Sequence, residues 1–265
     1  MKTIKFYTKL YQSFIKNTFA RETDYRGNMI AEIIDSLLNL AVNITFFQVL
    51  YLNVDSIGGW DSLEILMLVG VSQLITAILY TLFMNNLPRI QKYVFYGELD
   101  YILLKPCDEQ FYISLRYFYF AGIPSIIFSI GLILYTTIQL NLDVQIVTIF
   151  VFIIYILCSV IICYSIWLFI MSLSILVLKV DQIHELFLSS LKFTEYPKGI
   201  YKGGIRLILL YIFPLVTVSN VPVEWYLKKI DIIHSIYIIL LAVLFFVFSR
   251  KFWKFSLQKY ASASA

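Results

Sequence analysis

The chain has 265 residues, 60% of them hydrophobic and only 14% charged, with a mean hydropathy of +0.80 and a net charge of +4. Soluble domains carry roughly a quarter charged residues, so the composition excludes an ordinary water-soluble fold and points to one integral membrane domain over residues 1–260. Cys107, Cys158 and Cys163 form an odd set without zinc or redox spacing, and no disulfide framework is expected.

The N-terminal segment places Ile4, Tyr7, Leu10, Tyr11 and Phe14 at helical spacing, with Lys5, Lys9 and Lys16 mostly elsewhere on the wheel. This pattern predicts an interfacial helix on a membrane surface. It lacks a small-residue cleavage site and does not read as a signal peptide. A first span is expected over 30–52, where Glu32, Asp35, Asn39 and Asn43 are spaced 3, 4 and 4 apart and share one helix face. Polar groups at bilayer depth are costly unless they meet water or protein, so the stripe reads as the wall of a pathway or a subunit seam. The alternative puts Glu32 and Asp35 at the inner headgroups, with Asn39 and Asn43 as interhelical glue.

A second span is expected over 63–84, followed by the longest inner loop. Pro88 suits the start of a helix and Gly97 its C-terminal cap, so 88–96 reads as a short helix with Leu87, Ile90 and Val94 on one face. Arg89, Gln91 and Lys92 would then face water, where a soluble partner can grip them. A second amphiphilic piece, from Glu98 to Pro106, follows. The bland reading is a loop that only tethers two spans.

A third span is expected over 117–137. From Val144 to Leu178 the chain then runs 35 residues without a charge, Gly or Pro, roughly 52 Å of helix, which makes one long fourth span. Between Lys179 and Asp231 the apolar residues fall into two blocks, 183–193 and 205–221. Either the second block is a full span, or the first is a short span and the second a re-entrant hairpin broken at Pro214. A last span is expected over 232–248. Both readings give an all-α protein with six transmembrane helices. Residues 261–265 are a low-complexity Ala/Ser tail of the kind a cloning scar leaves and are set apart from the fold.

Inner loops hold an excess of Lys and Arg. The N-terminal segment, the second-to-third connection, the C-terminal tail and Lys179 hold 15 of the 21 basic residues, and the first two outer loops hold none. Both termini are therefore expected in the cytoplasm. His184 and His234 lie in separate segments, with His184-Glu185 expected in a cytoplasmic turn, and no metal site is expected. No phosphate-binding loop is present, so the chain is expected to bind no ATP or other cofactor itself and to be no enzyme.

The order of parts resembles the type-2 ABC exporter permeases, transmembrane subunits of bacterial ABC transporters. Val54 to Trp60, Gly97 to Pro106, Glu195-Tyr196-Pro197 and Phe213-Pro214 are similar to a drug and toxic-compound efflux branch. The resemblance implies a permease dimer, with a second subunit identical or related, that docks two copies of a separate ATP-binding subunit carrying ATP and Mg. It makes 88–96, with Pro88, Arg89, Ile90, Gln91, Lys92, Val94, Gly97 and Glu98, the coupling helix. Lys179-Val180-Asp181 and Tyr196-Pro197 are similar to the fifth-span entry and outer exit of polysaccharide-exporting relatives, which favours the re-entrant hairpin with Tyr196, Pro197 and Pro214 at its outer segment. The implied function is export of a hydrophobic or cationic small molecule across the bacterial cytoplasmic membrane, with no nucleic-acid partner. An ATP-independent carrier or channel, or a membrane-embedded enzyme, are the alternatives.

Overall fold

Lipid offers no partner for backbone N–H and C=O groups, so apolar segments must close their own hydrogen bonds as helices. The chain is helical accordingly. The computed structural model describes residues 2–23, 26–177 and 181–260, and within these the only β feature is the bridge between Ile57 and Trp60. Lys179 and Val180 of the expected turn, and the 261–265 tail, lie outside the described residues.

Helix α1 (Lys2–Thr23) precedes α2 (Arg26–Tyr51) and α3 (Ser62–Leu79). Asp61 and Glu64 cap α3 reciprocally, the Asp61 N–H donating to Glu64 Oε2 at 3.0 Å. A π turn, Tyr80–Met84, carries α3 into the loop expected on the inner side, which holds α4 (Arg89–Phe95), α5 (Leu99–Leu103) and α6 (Glu109–Leu115). Then come α7 (Ile123–Gln139) and α8 (Ile146–Ser172). Next is α9 (Asp181–Ser190), drawn out by a 3-10 turn, Leu191–Glu195. Helix α10 (Gly203–Leu207) runs through a π turn, Ile208–Ile212, toward α11 (Leu215–Tyr226). The chain closes with α12 (Ile232–Ser235) and α13 (Tyr237–Lys259).

The core lies where α3, α8 and α11 meet, with α7 and α2 against α3 and α13 against α8. Met67 and Leu68 of α3, Ile162 and Trp167 of α8, and Leu215 and Val218 of α11 are sealed in it. The outward faces are as apolar as the core. Ile34, Leu38, Val42 and Phe46 line one exposed side of α2, and Leu240, Val243, Leu244 and Val247 one side of α13. Apolar faces this continuous exceed what a soluble monomer exposes and fit a hydrocarbon surround.

Among the described residues four helical stretches are long and apolar enough to cross a membrane, namely Ile30–Tyr51, Ser62–Phe95, Phe120–Gln139 and Ile146–Ile175, or five with the bent pair Gly203–Ile212 and Leu215–Tyr226 taken as one span. The remaining two expected crossings differ for physical reasons. Helix α9 with its extension covers only 181–195. The apolar part of α13 gives way to Arg250, Lys251 and Lys254. The third span starts at Phe120 rather than 117, because the chain bends at 117 and is not helical before Phe120, with Tyr119 extended.

The bend of the paired segment is 79° and falls at Phe213-Pro214. Pro214 has no N–H to continue the ladder, and the Phe213 N–H reaches back to Ile208 O at 2.7 Å instead. Both arms lead to the end of the bundle that holds the 53–61 loop. Gly199 sits so close to Gly58 that a Cβ on it would lie 2.4 Å from Gly58 O. Past the other arm, Lys229 pairs with Glu64 at 2.6 Å and lies over the Trp60 ring. The turn at 197–200 and the 53–61 loop thus share one end. At the opposite end, α1 packs its Tyr7 and Phe14 rings on Phe111 and Tyr112 of α6.

Candidate functional site

The polar stripe of α2 borders an open cavity, with Glu32, Asp35 and Asn39 exposed and Asn43 half-buried. Glu32, Asp35, Asn39 and Asn43 line a cavity of about 590 Å³ bounded by α2, α3, the start of α7 and α9 with its extension. The exposed side chains of Ile34, Leu38, Val42 and Phe46 take the adjacent face of α2, about 100° round the helix. The space exists because residues at the walls are small, among them Ala31, Ala77, Ala121, Gly122 and Ser125. Gln73, Tyr80, Tyr119, Lys192 and Glu195 complete its polar lining.

Glu195 clasps the cavity. Asn43 Nδ2 and Gln73 Nε2 each donate to its Oε1 at 3.2 Å, so one carboxylate ties α2 and α3 to the end of the α9 extension. The Ser72 and Thr194 hydroxyls meet beside it. Asn39 donates to Asp35 O at 3.0 Å, one turn back on its own helix. The outer segment named from the sequence is pinned nearby. Asn220 of α11 accepts the Lys198 N–H at 2.7 Å and donates to Tyr196 O at 3.1 Å. Lys198 pairs at 2.7 Å with Glu224, which is almost fully buried. Phe47 and Tyr196 meet ring to ring, so Tyr196 and Pro197 are held against α2 and α11 while Pro214 marks the break.

At the opposite end, α4 begins after Pro88 and stops at Tyr96, with Gly97 at φ +70° in the left-handed region that favours glycine. Leu87, Ile90 and Val94 are buried. Lys92 and Glu98 face outward, but Arg89 and Gln91 do not stand free in water as the sequence suggests. Arg89 Nε donates to Asn85 O at 2.7 Å and its guanidinium lies 4.5 Å from the Tyr117 ring centre. Gln91 Nε2 donates to Asp181 Oδ2 at 3.1 Å, joining α4 to the start of α9. The accessible surface of the loop is instead aromatic and aliphatic: Phe95, Tyr96, Tyr101 and Leu104 are 64%, 68%, 72% and 82% exposed.

Three features escape a sequence reading. Asn86 is buried and donates to Leu82 O and Tyr117 O at 2.7 and 2.6 Å while accepting the Tyr117 N–H at 2.9 Å. Asp108 caps α6 and meets Arg250 of α13, which also donates to Gln110 at 2.6 Å. Burial pushes the Asp108 carboxyl upward, but Arg250 and the Phe111 N–H outweigh it and hold the group below its ordinary range. His184 lies within α9, not in a turn, with its Nδ1 accepting from Trp167 Nε1 at 3.1 Å under a stacked ring. It is a satisfied core histidine.

A family model described as ABC-2 family transporter protein matches residues 37–264. The chain belongs to the ABC-2 transporter family. No curated protein and no solved structure matches it. The ABC-2 match takes in Asn39, Asn43, the whole inner loop, α9 and the paired segment around Pro214, while Glu32 and Asp35 precede it. This ABC-2 chain is accordingly a transmembrane transport component, a permease that passes the membrane several times.

Proposed function

We propose that this ABC-2 permease is the membrane half of an ATP-driven exporter in a bacterial cytoplasmic membrane. In this reading α2, α3, α7, α8, the short α9 segment and α13 make six crossings, and α10–α11 is a re-entrant hairpin entered from outside. Both termini are then cytoplasmic, and two permeases, identical or related, pair around the substrate. The observation that carries the reading is the inner loop: α4, started at Pro88 and stopped at Gly97, buries one face, and α4 and α5 together present Phe95, Tyr96, Tyr101 and Leu104 to the outside. Exposed aromatic side chains of this kind are what a protein partner buries as anchors. Since the loop carries no nucleotide-binding motif, that partner is a separate ATP-binding subunit, two copies per complex, carrying ATP and Mg.

The coupling route follows the contacts. ATP closes the partner subunits and moves α4, Gln91 passes the shift to α9 through Asp181, and the α9 extension carries Glu195 against the cavity wall. Net transport requires ATP and substrate to prefer different states of the permease, since a ligand that binds both equally shifts nothing. The cavity sets aromatic and aliphatic surface beside Glu32, Asp35 and Glu195, which suits a hydrophobic or cationic small molecule.

The test is purification of the tagged full chain from membranes where it is co-expressed with its ATP-binding subunit. Tyr101→Ser with Leu104→Ser should weaken the association roughly 30-fold, as for loss of one strong anchor of about 2 kcal/mol. Export by the chain without any ATP-hydrolysing companion would overturn the reading.

A further inference from the structure

We propose that Arg21, Arg89 and Arg116, gathered on Tyr117, bind the phosphate headgroup of an anionic phospholipid. Their guanidinium carbons lie 4.6, 4.5 and 5.0 Å from the centre of that ring. No two of the charges are then more than about 10 Å apart, which is one Debye length at 0.1 M salt, so their mutual repulsion is incompletely screened. Among the described residues none of the three comes within 4.0 Å of a carboxylate oxygen. The neighbouring Glu22 carboxylate is turned to the Phe120 N–H at 3.3 Å. A ring quadrupole attracts a cation without cancelling its charge, and Glu22, which feels the charge of Arg21, can balance only one of the three guanidiniums.

The nest is built rather than accidental. It joins the end of α1, the first residue of α4 and the residue after α6. Asn86 holds the Tyr117 main chain from both sides, and Asn85 O holds Arg89 by its Nε alone, leaving its terminal N–H groups for an acceptor. Planar guanidiniums match phosphate oxygens two at a time, which ammonium groups do not. The phosphate belongs to a lipid because apolar surface lies near it: Phe118, next to Tyr117, rests against Phe120, and Phe120 against the exposed Phe19 ring. A headgroup in the nest with its acyl chains along Phe19 would fasten α1 to the start of the coupling helix. Only the leaflet, the inner one, rests on the function proposed above.

The test uses the purified full chain in detergent, titrated with phosphatidylglycerol, phosphatidylcholine or inorganic phosphate, with bound lipid read by native mass spectrometry. Phosphatidylglycerol should bind in preference. Arg21→Gln and Arg116→Gln should each weaken it about fivefold, the contribution of one basic residue near an anionic surface, and the pair about 25-fold, with phosphatidylcholine binding unchanged. Arg116→Lys, which keeps the charge but loses the planar fork, should fall between. Lys254→Gln, a basic residue in the last turns of α13, should change binding less than twofold. Equal binding of the two lipids, or an equal loss in Lys254→Gln, would overturn the site, and displacement of the lipid by millimolar inorganic phosphate would overturn its lipid source. Neither ATP nor an ATPase enters this measurement, so it can fail while the transport reading stands.

Discussion

The clasp on Glu195 is open to a double-mutant cycle. Asn43 Nδ2 and Gln73 Nε2 share Glu195 Oε1 at 3.2 Å each. A hydrogen bond within a protein contributes a net of roughly 0.5–1.5 kcal/mol, about 1 kcal/mol at the centre of that range. For a domain of this size 1 kcal/mol moves the melting temperature by about 2–4 °C. The double variant Asn43→Ala with Glu195→Ala should therefore lose about 2–4 °C less than the sum of its single variants. The same holds for Gln73→Ala with Glu195→Ala. Tryptophan fluorescence of the purified chain during a thermal ramp reads both cycles. Additivity within about 1 °C in both pairs would mean that α2, α3 and the α9 extension are not tied through this carboxylate, and the coupling route to the cavity would fall with it.

At Gly122 a Cβ would lie 2.2 Å from Thr81 Oγ1 in the π turn. Gly122→Ala should cost about 1–3 kcal/mol by overpacking, and adding Thr81→Ala should restore most of the lost melting temperature. A clash elsewhere would leave the second change without effect. Asn86→Ala strands the buried Tyr117 N–H and should cost about 2–3 kcal/mol; a melting temperature within 2 °C of the parent would contradict the network. Asp108 is held below its ordinary value, so its stabilisation is full above about pH 4 and fades as pH falls further. With a third of Asp108 and a quarter of Arg250 exposed, the advantage over Asp108→Asn should be only about 0.5–1 kcal/mol at pH 7. Melting curves from pH 7 to pH 3 should show the two proteins converging, and a constant gap would assign the effect to the cap alone.

Local chemistry made α4, the break at Pro214 and the stripe on α2 readable from sequence. Pro88 and Gly97 act through their own backbones, Pro214 through its missing donor, and a 3-4-4 spacing through helix geometry. What stayed hidden depends on residues far apart in the chain. Arg89 looks like a surface charge until the loop after α6 brings Tyr117 over it. Asp108 and Arg250 meet across 142 positions. His184 in a polar stretch suggests a turn, and only the Trp167 side chain from α8 makes it a core residue. The short α9 was hard to read because its length is below that of a span, and no periodicity reveals which helix its polar end will meet.

Polar bonds at the two ends of α9 link the α4 end of this permease to the cavity, and their placement argues for a lever rather than a uniform tilt. Gln91 holds Asp181 at the base of α9, and the far end of the same segment delivers Thr194 to Ser72 and Ser219 and Glu195 to Asn43 and Gln73. Between these ends Phe187 touches Trp167 on one side and Phe213, at the elbow of the paired segment, on the other. Segment α9 therefore contacts the α4 loop, the cavity and the elbow at once. A displacement of α4 that left Gln91 bonded would have to move all three, because a helix of this length transmits a push along its axis instead of absorbing it. Packed aromatic contacts of the Phe187 kind repack between discrete arrangements more readily than they stretch, which suits a transporter that alternates between two states.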